Sequence, residues 1–202
     1  MMSDQPRRHP KAKPQTGHQF GHRREWLAHL VKVNGWTSGA ELGVRKGATF
    51  LYLLKHCPGL TMIGVDLWGE QPDNPGPQKY QTGDHDDCEL AVRAQAHEYG
   101  SRSIIIKDWT VKAADDVSDG WLDFVFVDAD HSTSAVKCDI IKWYKKLKAD
   151  GWMIGHDINW PEVAEAVNEM LPGYIIGPDN TWARVKGEGL YRVPRGGDWH
   201  RA

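Results

Sequence analysis

The sequence predicts an α/β fold: a doubly wound, mostly parallel sheet of seven strands that ends in an antiparallel hairpin. Apolar segments of strand length alternate along the chain with segments of helical pattern, which is typical of βαβ units. Most of these apolar segments are continuous rather than alternating, as expected for strands covered by helices on both faces. The expected strands are residues 39–44, 61–67, 103–107, 122–127, 152–155, 174–177 and 182–186. A short Pro-Asp-Asn-Thr turn joins the last two and predicts the hairpin.

Five helices are expected beside these strands. Residues 22–34 place apolar side chains at helical spacing, and Gly35 follows as a stop signal. The other four are expected at residues 48–56, 86–99, 134–147 and 161–171. Residues 69–83 are rich in proline and glycine and too long for a simple connection, which indicates either a lid or substrate wall, or a tolerated insertion.

The chain length of 202 residues is enough for one domain with a sizeable core, which we assign to residues 21–190. Residues 1–20 combine Pro, Arg, Lys, His and Gln with almost no apolar side chains, so a disordered basic tail is expected there. Residues 191–202 are expected to form a C-terminal tail.

The composition argues against several classes of protein. A formal net charge of −2 provides no global attraction to nucleic acid or to an anionic membrane. No apolar run is long enough to span a bilayer, and the N-terminus lacks an apolar signal-peptide core, so a cytoplasmic protein is expected. The three cysteines are scattered and have no metal-binding spacing, which predicts reduced thiols.

Two glycines, Gly43 and Gly47, lie at the end of the first expected strand and just after it, in the stretch GAELGVRKGATF. In an open parallel sheet, ligands bind beyond the carboxyl ends of the strands, and Gly43 lies at such a point. Gly47 then allows the main chain to approach a ligand closely at the start of the next helix. A glycine pair also occurs where a strand simply turns into a helix, so the pair alone does not establish a site.

Two carboxylates near this turn indicate which chemical groups the ligand carries. Asp66 ends the second expected strand, where it would lie level with the turn and could accept hydrogen bonds from a ribose diol. Glu41 precedes the glycines, and the turn lacks the Gly-x-Gly-x-x-Gly pattern of dinucleotide sites. A carboxylate there would repel a pyrophosphate but could bind an ammonium group. The ligand is therefore expected to carry a ribose and a cation.

At these residues the chain resembles the class I S-adenosylmethionine-dependent methyltransferases, which have a Rossmann-like fold. The resemblance covers roughly residues 36–186 and implies S-adenosylmethionine (SAM) as the cofactor. It includes the carboxylate Asp128 after the fourth expected strand, which is carried over as a cofactor-binding and catalytic residue. Leu67 or Trp68 could pack on the adenine, although core packing explains either residue nearly as well. The other implied cofactor contacts are Glu41, Gly43 and Gly47 at the amino-acid end, Asp66 at the ribose, and Asp108 with Trp109 at the adenine.

Two more strand ends carry ionisable side chains. The fourth expected strand runs into Asp128, Asp130 and His131, and the fifth runs into His156 and Asp157. In a parallel sheet both ends emerge beside the glycine turn, and converging carboxylates repel one another unless a cation or a proton lies between them. A divalent metal would remove that repulsion. His131 is the first candidate for a general base, because imidazole titrates near neutral pH, and a structural role at a helix start is the alternative.

The same strand ends resemble those of small methyltransferases related to the sugar and macrolide O-methyltransferases and to cephalosporin-biosynthesis proteins, in which they hold magnesium. The resemblance implies Asp128, His156 and Asp157 as ligands of Mg²⁺, Mn²⁺ or a similar ion. Histidine is softer than the usual magnesium ligands, so a different metal, or a place for His156 beside the true ligands, stays open.

The function expected from these residues is SAM-dependent methyl transfer to a small molecule, at oxygen rather than nitrogen, with a divalent metal assisting. One alternative is a nicotinamide-dependent (NAD) oxidoreductase, against which Glu41 and the missing middle glycine argue. Another is a methyltransferase-like protein that binds SAM without catalysis. A nucleic-acid methyltransferase would need a basic stripe beside the site. The acceptor and the oligomeric state stay open, and a second copy of the chain could contribute walls of the acceptor site.

Overall fold

The computed structural model describes residues 20–70 and 85–187. The expected C-terminal tail, most of the proline-rich loop at 69–83 and residues 1–19 of the expected N-terminal tail lie outside the described residues. Phe20, the last residue of that expected tail, packs against the core, and its ring lies 4.9 Å from the ring of His29.

Seven strands form a single sheet within the described ranges. They are β1 (Ser38–Leu42), β2 (Thr61–Asp66), β3 (Ser103–Lys107), β4 (Leu122–Val127), β5 (Leu147–Gly155), β6 (Ile175–Ile176) and β7 (Trp182–Val185). The α-helices are α1 (Arg23–Asn34), α2 (Phe50–His56), α3 (His85–Ala96), α4 (Thr110–Ala113), α5 (Thr133–Tyr144) and α6 (Pro161–Met170). Short 3₁₀ helices extend α3 and α4, at His97–Arg102 and Ala114–Asp116.

The strand order is β3-β2-β1-β4-β5-β7-β6. The first five strands are parallel, whereas β7 runs antiparallel to both β5 and β6. The prediction of a mostly parallel seven-stranded sheet with a C-terminal hairpin is therefore confirmed. The chain reverses its direction of travel across the sheet between β1 and β4, and this switch point is where open α/β sheets bind ligands.

Helices cover both faces of the sheet, as the continuous apolar strands predict. One apolar layer packs α1, α2 and α3 onto the sheet and contains Trp26, Phe50 and Phe124. The other packs α4, α5 and α6 onto the opposite face and contains Trp143, Val125 and Met153. The central strand β1 is buried over its whole length, which places its carboxyl end deep beneath the ligand-binding edge.

Several element boundaries differ from the predictions. The helix expected at 134–147 ends at Tyr144, because Leu147 already pairs with Leu122 and opens a β5 strand five residues longer than predicted. The helix expected at 86–99 changes to 3₁₀ geometry after Ala96. The short helix α4 is missing from the sequence prediction, because four residues are too few to show a helical period.

Two negative expectations can be compared with the structure. Cys57, Cys88 and Cys138 are free thiols, as their spacing predicts. Among residues 20–70 and 85–187, no helix has both the length and the apolar character needed to cross a membrane.

Candidate active site

Two residues of the turn after β1 must be glycine, because each has a positive φ and no room for a Cβ atom. Gly43 has a φ of +87°, and a Cβ atom there would lie 2.0 Å from the carbonyl oxygen of Asp128. Gly47 has a φ of +75°, and a Cβ atom there would meet the side chain of Leu51 at 2.8 Å. Both conformations are strained for any side chain. The ends of β1 and β4 therefore approach each other so closely that only glycine fits between them.

Glu41 lies beneath this turn and is 2% exposed. The Oε2 atom of Glu41 has no hydrogen-bond partner among the described residues. Burial first, and then the charge of Asp128, raise the pKa of Glu41 well above its usual range, and the nearby backbone amide of Phe50 slightly opposes this rise. A buried carboxylate oxygen without a partner is costly unless a ligand satisfies it. Glu41 therefore fits the ammonium group of an amino-acid ligand such as SAM.

Asp66 ties the glycine turn to the end of β2. Its Oδ2 accepts a hydrogen bond of 2.7 Å from the Arg45 backbone N–H, and its Oδ1 accepts one of 2.7 Å from that of Trp68. Burial raises the pKa of Asp66, and these two backbone hydrogen bonds oppose the rise. The carboxylate thus sits level with the turn, as expected for a group that binds a ribose, and it also orders the two loops around it.

The two residues after Asp66 lie in different environments. Trp68 is 3% exposed, belongs to the apolar layer of α1 to α3, and donates its indole N–H to the Arg45 carbonyl at 2.9 Å. Leu67 is only partly buried. Core packing therefore accounts for Trp68, whereas Leu67 remains the candidate for contact with the adenine.

The end of β3 lies next to the end of β2. The Asp108 backbone N–H donates to the Asp66 carbonyl at 3.2 Å, and the Asp108 carboxylate accepts from the Trp109 backbone N–H at 2.7 Å. The Trp109 side chain is 45% exposed, which is unusual for so large an apolar group. An exposed ring at this edge is available to a planar ligand.

A second group of side chains converges at the ends of β4 and β5. His131 Nε2 lies 2.7 Å from Asp157 Oδ2, and His156 Nδ1 lies 2.9 Å from the same oxygen. His156 Nδ1 is also 3.5 Å from Asp128 Oδ1. The structure thus brings together the four residues Asp128, His131, His156 and Asp157, which we call the acceptor-side cluster.

In the acceptor-side cluster, the carboxylates stabilise the charged form of the imidazoles, and the imidazoles stabilise the charged form of Asp157. Burial alone would lower the pKa of each imidazole. Hydrogen bonds and charges from Asp128 and Asp157 outweigh it and raise the pKa of His156 to about 9. Asp157 in the same way raises the pKa of His131. Burial would raise the pKa of Asp157, but the two imidazoles hold it well below its usual range. Asp157 itself has a φ of +55°, a strained conformation of the kind that clusters at functional sites.

The helix start near His131 is organised by other residues. Ser132 is the N-cap of α5, and its hydroxyl accepts from the Ala135 backbone N–H at 3.3 Å. Asp130 accepts from the Ser132 backbone N–H at 2.7 Å. His131 instead stacks on Trp160, with ring centroids 4.8 Å apart, and its Nδ1 is buried without a hydrogen-bond partner among the described residues. The capping role considered for His131 thus belongs to its neighbours.

One side chain of the cluster was missed by sequence reasoning. The Arg23 guanidinium, at the start of α1, lies 3.5 Å from Asp128 Oδ2 and 3.3 Å from His156 Nε2. It also donates to Asp179 Oδ2 at 3.0 Å, in the turn between β6 and β7. No local pattern predicts these contacts, because they join residues 105 to 156 positions apart.

The cluster contains a set of atoms that could hold a metal ion. One ligand atom from each of Asp128, His131 and Asp157 lies within 4.8 Å of the other two. Cis and trans ligands of a six-coordinate ion fall within that span at the usual metal–ligand distances of roughly 2.0 to 2.3 Å. This set includes His131 in place of His156, which was the imidazole expected from the sequence. The chemistry of the donors therefore fits a divalent cation with one nitrogen ligand.

Comparison with known proteins agrees with this geometry. Residues 40–158, more than half of the chain, match the family described as "Methyltransferase domain". The chain belongs to this family of methyltransferase domains. The matched region contains the last three residues of β1, all of β2 to β5, the glycine turn and the acceptor-side cluster. The protein is therefore a class I SAM-dependent methyltransferase.

Solved structures of other methyltransferases share the fold. An SAH-bound methyltransferase from Podospora anserina has a TM-score of 0.59 and 12% identity, over 81% of this chain and 77% of that one. An O-methyltransferase from Bacillus cereus in complex with SAH has a TM-score of 0.55 and 14% identity, over 81% and 80% of the two chains. The O-methyltransferase of tomaymycin synthesis from Streptomyces achromogenes, in complex with SAM, has a TM-score of 0.54 and 14% identity, over 82% and 80%. No curated protein matches the sequence.

Proposed function

We propose that the protein transfers the methyl group of SAM to a hydroxyl oxygen of a small molecule, with His131 as the general base. The observation that carries this proposal is the contact of 2.7 Å between His131 Nε2 and Asp157 Oδ2 at the ligand-binding edge of the sheet. In the neutral imidazole, a carboxylate that accepts from Nε2–H leaves Nδ1 as the unprotonated nitrogen. His131 Nδ1 is buried and has no partner among the described residues, so it is the nitrogen that would accept the hydroxyl proton once an acceptor reaches it. Because Asp157 raises the pKa of His131, the imidazole must first lose its own proton, and the rate of transfer should increase with pH.

The cofactor end of the site supplies binding and orientation. Glu41 would hold the ammonium group and Asp66 the ribose hydroxyls, with Leu67, Asp108 and Trp109 around the adenine. When bound, SAM supplies an electrophilic methyl group on its sulfonium. The chain's own contribution is to hold the acceptor oxygen in line with that group, and such positioning accounts for much of the rate in reactions of this type.

Two observations favour a small hydroxyl acceptor. Two of the similar structures described above are O-methyltransferases, and one of them acts in the synthesis of a small molecule, tomaymycin. A hydroxyl must also lose a proton during transfer, and His131, oriented by Asp157, would accept that proton. The formal net charge of −2 adds no attraction for a polyanionic acceptor.

A second candidate mechanism uses a divalent metal instead of a free imidazole. The ligand-atom set of Asp128, His131 and Asp157 supports it. These residues would hold the ion, and its Lewis acidity would lower the pKa of the acceptor hydroxyl. His156, the imidazole expected from the sequence, lies 2.9 Å from Asp157 and could replace His131 as the nitrogen ligand. His131 cannot act as a free base through a nitrogen that binds the metal, so the two mechanisms are distinguishable.

The test combines cofactor binding with a screen of acceptors. Calorimetry should detect binding of SAM and no binding of NAD, and the opposite result would contradict the proposal. Methyl-labelled SAM should then transfer label to members of a panel of phenols, alcohols, amines and carboxylates, with hydroxyl compounds the preferred class. Transfer to amines alone would refute the assignment to oxygen. Activity that persists in excess chelator supports the imidazole mechanism, whereas activity restored only by Mg²⁺ or Mn²⁺ supports the metal.

A further inference from the structure

The guanidinium of Arg23 provides a positive charge within the acceptor-side cluster. Arg23 contacts two carboxylates, Asp128 at 3.5 Å and Asp179 at 3.0 Å, and the imidazole of His156 at 3.3 Å. Its side chain is 21% exposed, and those of Asp128 and Asp179 are 16% and 29% exposed. Contacts between partly buried charges are screened less by solvent than those on an open surface.

Arg23 reaches the cluster from outside the strands that build it. It is the first residue of α1, directly after His22, whose side chain caps that helix and lies 3.6 Å from Asp179. Asp179 follows β6 and has a φ of +56°, and its neighbour Asn180 has a φ of +55°. The guanidinium therefore joins the first helix to a strained turn at the far end of the chain, across the carboxylate of Asp128.

This position matters because Asp128 is also a candidate metal ligand. A divalent ion on Asp128 and Asp157 would place two positive charges within a few ångströms of the guanidinium. Arginine stays charged at every accessible pH, so it cannot relieve that repulsion by losing a proton. The Arg23 guanidinium also lies 3.5 Å from Asp128 Oδ2, beside a carboxylate that a metal would need as a ligand.

We propose that Arg23 is a positioning residue that serves as the built-in counter-cation of the acceptor-side cluster and excludes divalent metal ions from Asp128. In the native protein the guanidinium neutralises part of the negative charge of Asp128 and Asp179. A metal ion and Arg23 are alternative occupants of the same place. The inference concerns cation binding and goes beyond the proposed methyl transfer, because it holds whichever atom of the acceptor is methylated. It argues for the imidazole mechanism and against the metal-dependent alternative that uses Asp128.

The test measures binding of Mn²⁺ alone, by calorimetry and by electron paramagnetic resonance, without methyl donor or acceptor. Arg23→Gln should bind Mn²⁺ at least tenfold more tightly than the native protein. Arg24→Gln is the matched control, because it removes the same charge from the adjacent residue, whose guanidinium lies over the Tyr52 ring instead. It should bind Mn²⁺ as the native protein does. Adding Asp128→Asn to Arg23→Gln should abolish the gain.

Two further variants keep the test decisive if Arg23→Gln folds poorly. Arg23→Met removes the charge but retains an apolar stem of similar length, and it should show the same gain in Mn²⁺ affinity. Arg23→Lys retains the charge and should stay within about threefold of the native affinity. Native-like Mn²⁺ binding in both neutral variants would overturn the proposal, and so would an equal gain in Arg24→Gln.

Discussion

The two halves of the site are built in different ways. At the cofactor end, the loops are held mainly by hydrogen bonds from backbone amides, such as those that Asp66 accepts from Arg45 and Trp68. On the acceptor side, side chains hold one another through charge, as in the contacts of Asp157 with His131 and His156. The first half depends on neighbouring turns of the sheet, whereas the second joins residues from α1, β4, β5 and the turn before β7.

Under the proposed function, this difference separates cofactor binding from the chemical step. Backbone hydrogen bonds fix a shape that hardly responds to pH or salt, which suits a site for one constant cofactor. A cluster of charged side chains responds to protons, ions and substrates, which suits the groups that must exchange a proton during each turnover. Gly43 is the point where the two halves touch, because a Cβ atom there would overlap the backbone of Asp128.

The largest effect is expected from removing the proposed base. His131→Ala should lower the rate of methyl transfer by about 100- to 10,000-fold, the usual contribution of a positioned general base. Binding of SAM, measured by calorimetry, should change little, because His131 belongs to the acceptor side. The exposed His97 provides the control, and His97→Ala should keep full activity. If His131→Ala lost SAM affinity and rate equally, His131 would not act in the chemical step alone, and the two halves of the site would not have separate roles.

The next largest effect is expected at the contact between the halves. Gly43→Ala should lower the free energy of unfolding by about 3 kcal/mol, because its Cβ would meet the Asp128 carbonyl oxygen and its φ is positive. Denaturant titration measures this value. Gly59→Ala is the control, since a Cβ at Gly59 meets nothing within 4 Å and its φ is not in the left-handed region. Equal stability of the two variants would mean that β1 and β4 can separate at their ends without cost.

A smaller effect is expected at the ribose position. Asp66→Ala should weaken SAM binding by about 1.5 to 3 kcal/mol, because it removes a charged hydrogen-bond acceptor and frees the loops at Arg45 and Trp68. Calorimetry measures the SAM affinity of this variant. Asp86→Ala is the control, because the Asp86 carboxylate is 97% exposed. If the two variants bind SAM alike, Asp66 does not contact the cofactor.

The smallest expected effect is the response of stability to pH on the acceptor side. The pKa of His156 is about 9 in the folded protein, above its ordinary value of 6.5. The resulting stabilisation is complete below about pH 6.5 and is lost as the pH rises through about 9. In buffer with chelator, the free energy of unfolding should therefore fall by about 1 kcal/mol more across this range in the native protein than in His156→Gln. His97→Gln should retain the native pH dependence, and parallel curves for all three proteins would rule out the ionic link between His156 and the two aspartates.

Local sequence patterns sufficed for the sheet and for the positions of the glycine turn and Asp66 at its ligand-binding edge. The strand expected at 122–127 and that expected at 103–107 agree with β4 and β3 to the residue. Gly43 and Asp66 could be placed because Gly43 directly follows β1, Asp66 ends β2, and parallel strands share one ligand-binding edge. The start of β5 and the helix α4 could not be placed, since pairing across the sheet and packing against α5 decide them.

What the sequence determined by itself is the layered α/β architecture, the glycine turn and the approach of Asp128 and Asp157, because these follow from hydrophobic periodicity and from the direction of parallel strands. Only the tertiary structure decided how the charges in the acceptor-side cluster are balanced. In the folded chain His131 contacts Asp157, Ser132 caps α5, and Arg23 forms an ion pair with Asp128. The physical reason is distance along the chain: an ion pair between α1 and β4 leaves no trace in local periodicity, and folding alone brings its partners together.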